Sequence, residues 1–160
     1  MKKVKKILHS KITEAIKLTD KNCPYCIREK SLLDEMFEVM RLPYSTVYFL
    51  RDQKNPGRCV VVYKEHYCEL YEIPEPECIR YMIEVRTVSR AVSELYKPDK
   101  LNYAIYGDGV PHVHFHIVPK YKDGVSWGEP FSDKLHVVHL SEQEYTSQIE
   151  QLREYINNIM

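Results

Sequence analysis

Residues 110–121 read VPHVHFHIVPKY. His112, His114 and His116 stand at every second position, and they are three of only seven histidines in the chain. The residues between them, Val113 and Phe115, are apolar, and Pro119 closes the run. In a strand, residues i, i+2 and i+4 project from one face. The pattern therefore predicts a strand over 112–118, with three imidazoles along one side of a sheet and Val113, Phe115 and Ile117 on the other. The first and third rings start about 13 Å apart along such a strand. Two neighbours can meet on one small ion; all three can do so only if the strand is distorted. A row of histidines along an extended substrate fits better. One can attack, one can hold the attacker in the right tautomer, and one can serve the leaving group. A single histidine on a sheet face is commonly structural. Three in strict alternation, followed by an apolar pair and a proline, point to chemistry.

The rest of the chain builds a frame for that strand. YSTVYFL (44–50) and RCVVVY (58–63) read as strands joined by the turn RDQKNPG (51–57). Pro76 sits near the first turn of a long helix over about 76–96. Its stripe runs through Met82, Val85, Val88, Val92 and Leu95, and Pro98 ends it. LNYAIYG (101–107) is a strand before the histidine strand, and KLHVVHL (134–140) is a candidate fifth. A shorter helix is predicted over 29–41, from the stripe Leu32, Leu33, Met36, Phe37 and Met40 ahead of Pro43. The last helix, 141–159, opens with a capping box of Ser141 and Glu144 and a hydrophobic staple of Leu140 and Tyr145. Strands around one central helix, with flanking helices, imply an α+β fold with a mainly antiparallel five-stranded sheet. At 160 residues the natural expectation is one domain, with a core over about 23–121 and terminal helices at 1–20 and 141–159.

Charge narrows the partners. The chain holds 23 basic and 23 acidic residues. That balance argues against attachment to nucleic acid or membrane by charge alone. A small phosphate-bearing ligand needs only a local site and stays open. The N-terminal stretch is basic, but Lys11, Glu14 and Lys17 interrupt any apolar core. It is read as a helix packed on the body rather than a leader, with a membrane-surface anchor as the other reading. The cysteines, Cys23, Cys26, Cys59, Cys68 and Cys78, are odd in number and mostly scattered, which points to a reducing cytoplasm rather than a disulfide framework.

The run from His112 to Val118 matches the motif His-φ-His-φ-His-φ-φ (φ apolar) and so resembles the histidine triad, or HIT, family. NPGRCVVVYKEH (55–66) is similar to that family's Pro-Gly…Pro-Lys-x-His segment, and the order of elements agrees over about 23–121. The segments DQKNPGRC, LNYAI and VPH look closest to bacterial HIT proteins of the diadenosine polyphosphate hydrolase-like branch. The resemblance implies nucleotidyl transfer to water or another acceptor. His114 would attack the α-phosphorus, His116 would meet the phosphate and assist the leaving group, and His112 would orient His114 or bind metal. It implies no obligatory Mg²⁺, and it implies a homodimer.

Cys23-Pro24-Tyr25-Cys26 is a C-x-x-C pair able to supply two ligands to a tetrahedral zinc. By resemblance to bacterial HIT proteins and galactose-1-phosphate uridylyltransferases, His66 and His112 would complete the set. Two other readings of the pair are a redox couple and unliganded thiols. For the nucleotide, the resemblance offers Asp52 to ribose and Asn102 to phosphate; Tyr48 and Leu50 can wall the base. A turn Asp and a sheet-edge amide are their plainer readings. The family's frequent Gly-Gln-Ser or Gly-Gln-Thr is replaced by Gly107-Asp108-Gly109, and its common Gly-His by Gly57-Arg58. Arg58 can contact phosphate in compensation, or simply be solvated. Trp127, in VSWGEPF, can reach the site or pack as an ordinary aromatic. Two classes of function follow: a nucleotidyl hydrolase or transferase working through His114, and a zinc-stabilised nucleotide-binding module with little turnover.

Overall fold

The computed structural model describes residues 19–132 and 136–160. Strands β1 (Met36–Arg41), β2 (Ser45–Leu50), β3 (Cys59–Tyr63), β4 (Lys100–Ala104) and β5 (His114–Lys120) form one sheet. Their order is β1-β2-β3-β5-β4, and every neighbouring pair is antiparallel. Two short helices, α1 (Pro24–Ile27) and α2 (Lys30–Glu35), precede the sheet. The long helix α3 (Glu75–Tyr96) links β3 to β4, and α4 (Glu142–Ile159) closes the described chain.

Strand alternation splits the side chains between two cores. Val47, Phe49, Cys59, Val61, Tyr63 and Ile117 bury one face against Tyr81, Val85, Val88 and Val92 of α3 and Tyr145, Ile149, Leu152 and Ile156 of α4. Tyr48, Val60 and Val62 bury the other face against Cys23, Tyr25 and Met36. Val62 pairs with His114 and Val60 with His116, so the histidines stand over this second, thinner layer. The thick layer fixes the sheet; the thin layer leaves room for a site.

The predicted strands at 44–50 and 58–63 and the long helix form as expected, although Met82 of the helix stripe is exposed. The capping box forms too. Ser141 Oγ accepts from Glu144 N at 3.3 Å, and Glu144 Oε2 accepts from Ser141 N at 2.8 Å. Tyr145 is buried, and its hydroxyl accepts from Leu140 N at 3.1 Å.

Three expectations change. The helix over 29–41 stops at Glu35, and Met36–Arg41 forms β1 instead. The apolar spacing there suits either period, and pairing with β2 decides it. A bulge between Glu38 and Met40 shifts the register, while Phe37 packs on Tyr145 with ring centroids 4.9 Å apart. The candidate strand at 134–140 is not one: residues 136–140 are irregular, and β1 supplies the fifth strand. Its contacts to the turn before β3 are the bonds Gln53 N to Val138 O, 2.8 Å, and Val138 N to Asp52 Oδ1, 3.2 Å. Finally, β4 ends at Ala104 rather than 107, and β5 begins at His114, leaving His112 in a bend. The helix expected over 1–20 falls mostly on residues outside those described.

Gly57 has φ +88°, and a Cβ there would stand 2.5 Å from the Tyr96 ring, so this turn requires glycine. Replacing the cap, Ser141→Ala, is expected to lower stability by about 1 kcal/mol. Urea unfolding of both proteins checks this; an unchanged midpoint would show that α4 does not depend on its cap.

Candidate active site

The bend before β5 turns His112 away from the strand and into the protein. Its Nε2 lies 2.8 Å from the Tyr63 carbonyl oxygen, which can only accept, so Nε2 carries the proton and Nδ1 the lone pair. Its own carbonyl oxygen lies 2.6 Å from His114 Nδ1. By the same argument His114 is protonated at Nδ1 and has a free lone pair at Nε2. Two backbone oxygens thus set two tautomers. Both rings are buried. Burial holds His112 down to about 4, against the pull of the Tyr63 carbonyl, and burial likewise lowers His114. Both are therefore neutral at pH 7. Tyr25 packs against the two rings, at 5.5 Å from His112 and 5.1 Å from His114 between centroids.

The lone pair of His112 Nδ1 faces sulfur. It lies 3.3 Å from Cys23 Sγ and 3.6 Å from Cys26 Sγ, and His66 Nδ1 lies 3.5 Å from Cys26 Sγ. The four ligand atoms of Cys23, Cys26, His66 and His112 all lie within 4.8 Å of one another, and this group could hold a metal ion. Ligand atoms around a tetrahedral zinc stand about 3.5–3.8 Å apart, from its bond lengths. The donor set, the spacing and the His112 tautomer all suit such an ion. Burial pushes the Cys26 thiol up, so a cation is what would keep it as thiolate. His66 Nε2 lies 3.8 Å from Asp20 Oδ2.

On the other side, His116 stands 5.1 Å from His114 between ring centroids. Tyr106 and Phe131 each lie 5.8 Å from it. Beneath them is Arg58, only 1% exposed, with its guanidinium carbon 4.7 Å from the Phe131 centroid. The segment carrying Phe131 is held by two buried lysines. Lys120 Nζ donates to Ser126 O and to Glu129 O, and Lys54 Nζ donates to Ser132 O at 3.1 Å. A cleft of about 690 Å³ opens beside these rings, lined in part by Asn102, Tyr106, Trp127 and Phe131.

The structure thus gathers Cys23, Cys26, His66, His112 and His114 on one flank and His116, Arg58 and Asn102 on the other. Asn102 lies on β4, two residues before Ala104, which pairs with His116. Arg58 is sealed in rather than solvated. Asp52 sits in a turn: Oδ2 pairs with Lys54 Nζ at 2.7 Å, and Oδ1 accepts from Lys54 N and Val138 N. Trp127 is 43% exposed at the rim of the cleft. Asp108 is exposed, as are His136 and His139. Three contributors had little sequence signal. Tyr25 was visible only as the spacer of C-x-x-C; Phe131 and the Tyr63 carbonyl carried none.

The HIT domain model matches residues 34–123, more than half of the chain. The chain belongs to the HIT family. A histidine triad protein of Bradyrhizobium japonicum has the same fold, with a TM-score of 0.74 and 28% identity over 79% of this chain and 95% of that one. An adenosine 5'-monophosphoramidase of Schizosaccharomyces pombe is 36% identical over 44% of this HIT chain and 57% of the relative. A bis(5'-adenosyl)-triphosphatase of Saccharomyces cerevisiae is 33% identical over 50% of this chain and 41% of the relative. The HIT chain spans about half the length of these two curated relatives.

Proposed function

We propose that this HIT protein is a nucleotidyl hydrolase or transferase that cleaves at the α-phosphate of a dinucleoside polyphosphate or a nucleoside phosphoramidate. The observation that carries the reading is the His114 ring: neutral, with Nδ1 bound to the His112 carbonyl oxygen and Nε2 left with its lone pair. Imidazole in that state is a nucleophile at pH 7. The names of the two curated relatives, a phosphoramidase and a dinucleoside triphosphatase, support the substrate class.

In the first step, His114 Nε2 forms a bond to the α-phosphorus while the bond to the leaving group breaks and its electron pair departs with that group. A polyphosphate leaves as the anion; an amine takes a proton from water. The nucleotidyl-His114 ring is then cationic, and the His112 carbonyl oxygen at Nδ1–H stabilises that charge. Water next attacks phosphorus and gives its proton to solvent. The P–N bond breaks, Nε2 regains its lone pair, and a nucleoside monophosphate leaves. His116 meets the phosphate and serves the leaving group, which lies toward the cleft. Asn102 at that cleft offers an amide N–H to phosphate. Asp52, proposed for ribose, also pairs with Lys54 and accepts from the Val138 amide, which fixes its place in the turn.

Cys23, Cys26, His66 and His112 are proposed to hold one zinc ion, which would tie the α1 segment to the start of β5 and keep the His112 ring in place. A homodimer is also proposed. Ile79, Met82 and Ile83 of α3 and Tyr103 on the edge strand β4 are exposed, and an unpaired edge beside apolar side chains suits a second copy. A cytoplasmic site of action is also proposed, in keeping with five cysteines of which none is in a disulfide.

Incubation with diadenosine polyphosphates, adenosine phosphoramidate and ADP is expected to release nucleoside monophosphate, with the rate falling on the order of a thousandfold or more in His114→Ala. Nucleotide binding without release by the wild type would favour the binding module instead. Metal analysis of purified protein is expected to give one zinc per chain and to fall toward none in Cys26→Ser; equal zinc in both would remove the ligand assignment. Light scattering is expected to report twice the 19.0 kDa chain mass, and a monomer would overturn the dimer.

A further inference from the structure

The neighbour of the nucleophile has its own constraint, and it comes from a residue that the sequence suggested for another task. Arg58 Nη2 lies 3.4 Å from His116 Nδ1. A guanidinium has donors only and does not lose its proton in proteins. A hydrogen bond between these atoms therefore runs from arginine to histidine, and Nδ1 must carry the lone pair. We propose that Arg58 is a positioning residue that sets the tautomer of His116, placing its proton on Nε2 and making the ring a fixed hydrogen-bond donor to substrate.

The surroundings support a built arrangement. Arg58 enters at the head of β3, directly after Gly57, and Val60 two residues on pairs with His116. Phe131 covers the guanidinium at 4.7 Å, which lowers the local dielectric and strengthens the interaction. The Lys120 and Lys54 bonds hold that cover in place. Arg58 is almost wholly buried, so a direct grip on phosphate does not suit it.

The result is a pair of adjacent histidines with opposite tautomers. His114 is bound at Nδ1–H by the His112 carbonyl and offers a lone pair at Nε2. His116 accepts at Nδ1 from Arg58 and offers a proton at Nε2. One ring attacks phosphorus; the other donates to an oxygen of the phosphoryl or leaving group, where negative charge grows. In that role the ring donates a hydrogen bond and keeps its proton. This assignment of the donor's target rests on the proposed hydrolase reading; the tautomer itself does not.

The test is long-range ¹H–¹⁵N NMR of histidine-labelled protein without substrate, with the His116 signals assigned through His116→Asn. The wild type is expected to show His116 protonated at Nε2 and bare at Nδ1. Arg58→Met is expected to give mixed tautomers, and Arg58→Lys, which keeps a charged donor, to restore the wild-type pattern. In turnover, Arg58→Met is expected to lower kcat by about 10–100-fold with little change in KM, the scale of a lost orienting partner. A wild-type proton on Nδ1, or an unchanged Nε2–H tautomer in folded Arg58→Met, would overturn the proposal. If the methionine variant does not fold, the wild-type spectrum and Arg58→Lys still decide. Because the tautomer is read without turnover, an inactive wild type with the expected spectrum would fail the hydrolase reading and leave Arg58's role intact.

Discussion

The Tyr63 carbonyl oxygen governs the site more than any side chain does. It takes the Nε2 proton of His112. That single bond turns His112 Nδ1 toward two cysteines, and the His112 carbonyl then fixes His114 in turn. Backbone carbonyls are strong, rigid acceptors, and their positions are set by the sheet. The chemistry of two imidazoles is thereby tied to the geometry of β3 and β5. A side chain in the same role would have rotamers to lose; a carbonyl at a strand end has almost none.

The sheet separates two duties. Its α3 and α4 face carries the large core, so the strands are held without help from the histidines. Its other face is thin, and it is flanked by two different cations or cation sites. On one side the Cys23, Cys26, His66, His112 cluster can take a metal ion. On the other, Arg58 is buried under Phe131. The buried guanidinium of Arg58 puts one positive charge beside the histidine pair, in a chain whose formal net charge is zero. The field is local, which is why overall composition does not reveal it.

Much of this was legible in the sequence, for physical reasons that can be named. Strict alternation announces a strand and a face, and β5 follows it from His114 on. The capping box at Ser141 is a local signal and forms as written. C-x-x-C with two histidines far along the chain meets in space because β3 and β5 are neighbours. What stayed hidden depends on tertiary contacts. Met36–Arg41 has a helical stripe, yet an edge of β2 was free to pair with it. His112 follows the alternation on paper, but the bend at the strand's start sends its ring to the Tyr63 carbonyl. Arg58 reads as a phosphate contact or as a solvated side chain, and only tertiary packing shows that it is buried. Phe131 lies in an irregular segment whose path no periodicity describes.

The strand order has a consequence for how such a site can come into being. The seam between β3 and β5 joins residues 59–62 to residues 114–117, with α3 and β4 threaded between them. Closing so long a loop costs entropy that only the finished seam returns. As the chain is synthesised, Cys23, Cys26, His66 and Arg58 all appear before their histidine partners. Until β5 docks, neither imidazole tautomer is set, and the two thiols and His66 lack the fourth member of their group. The site is therefore assembled only when the last strand of the sheet is in place.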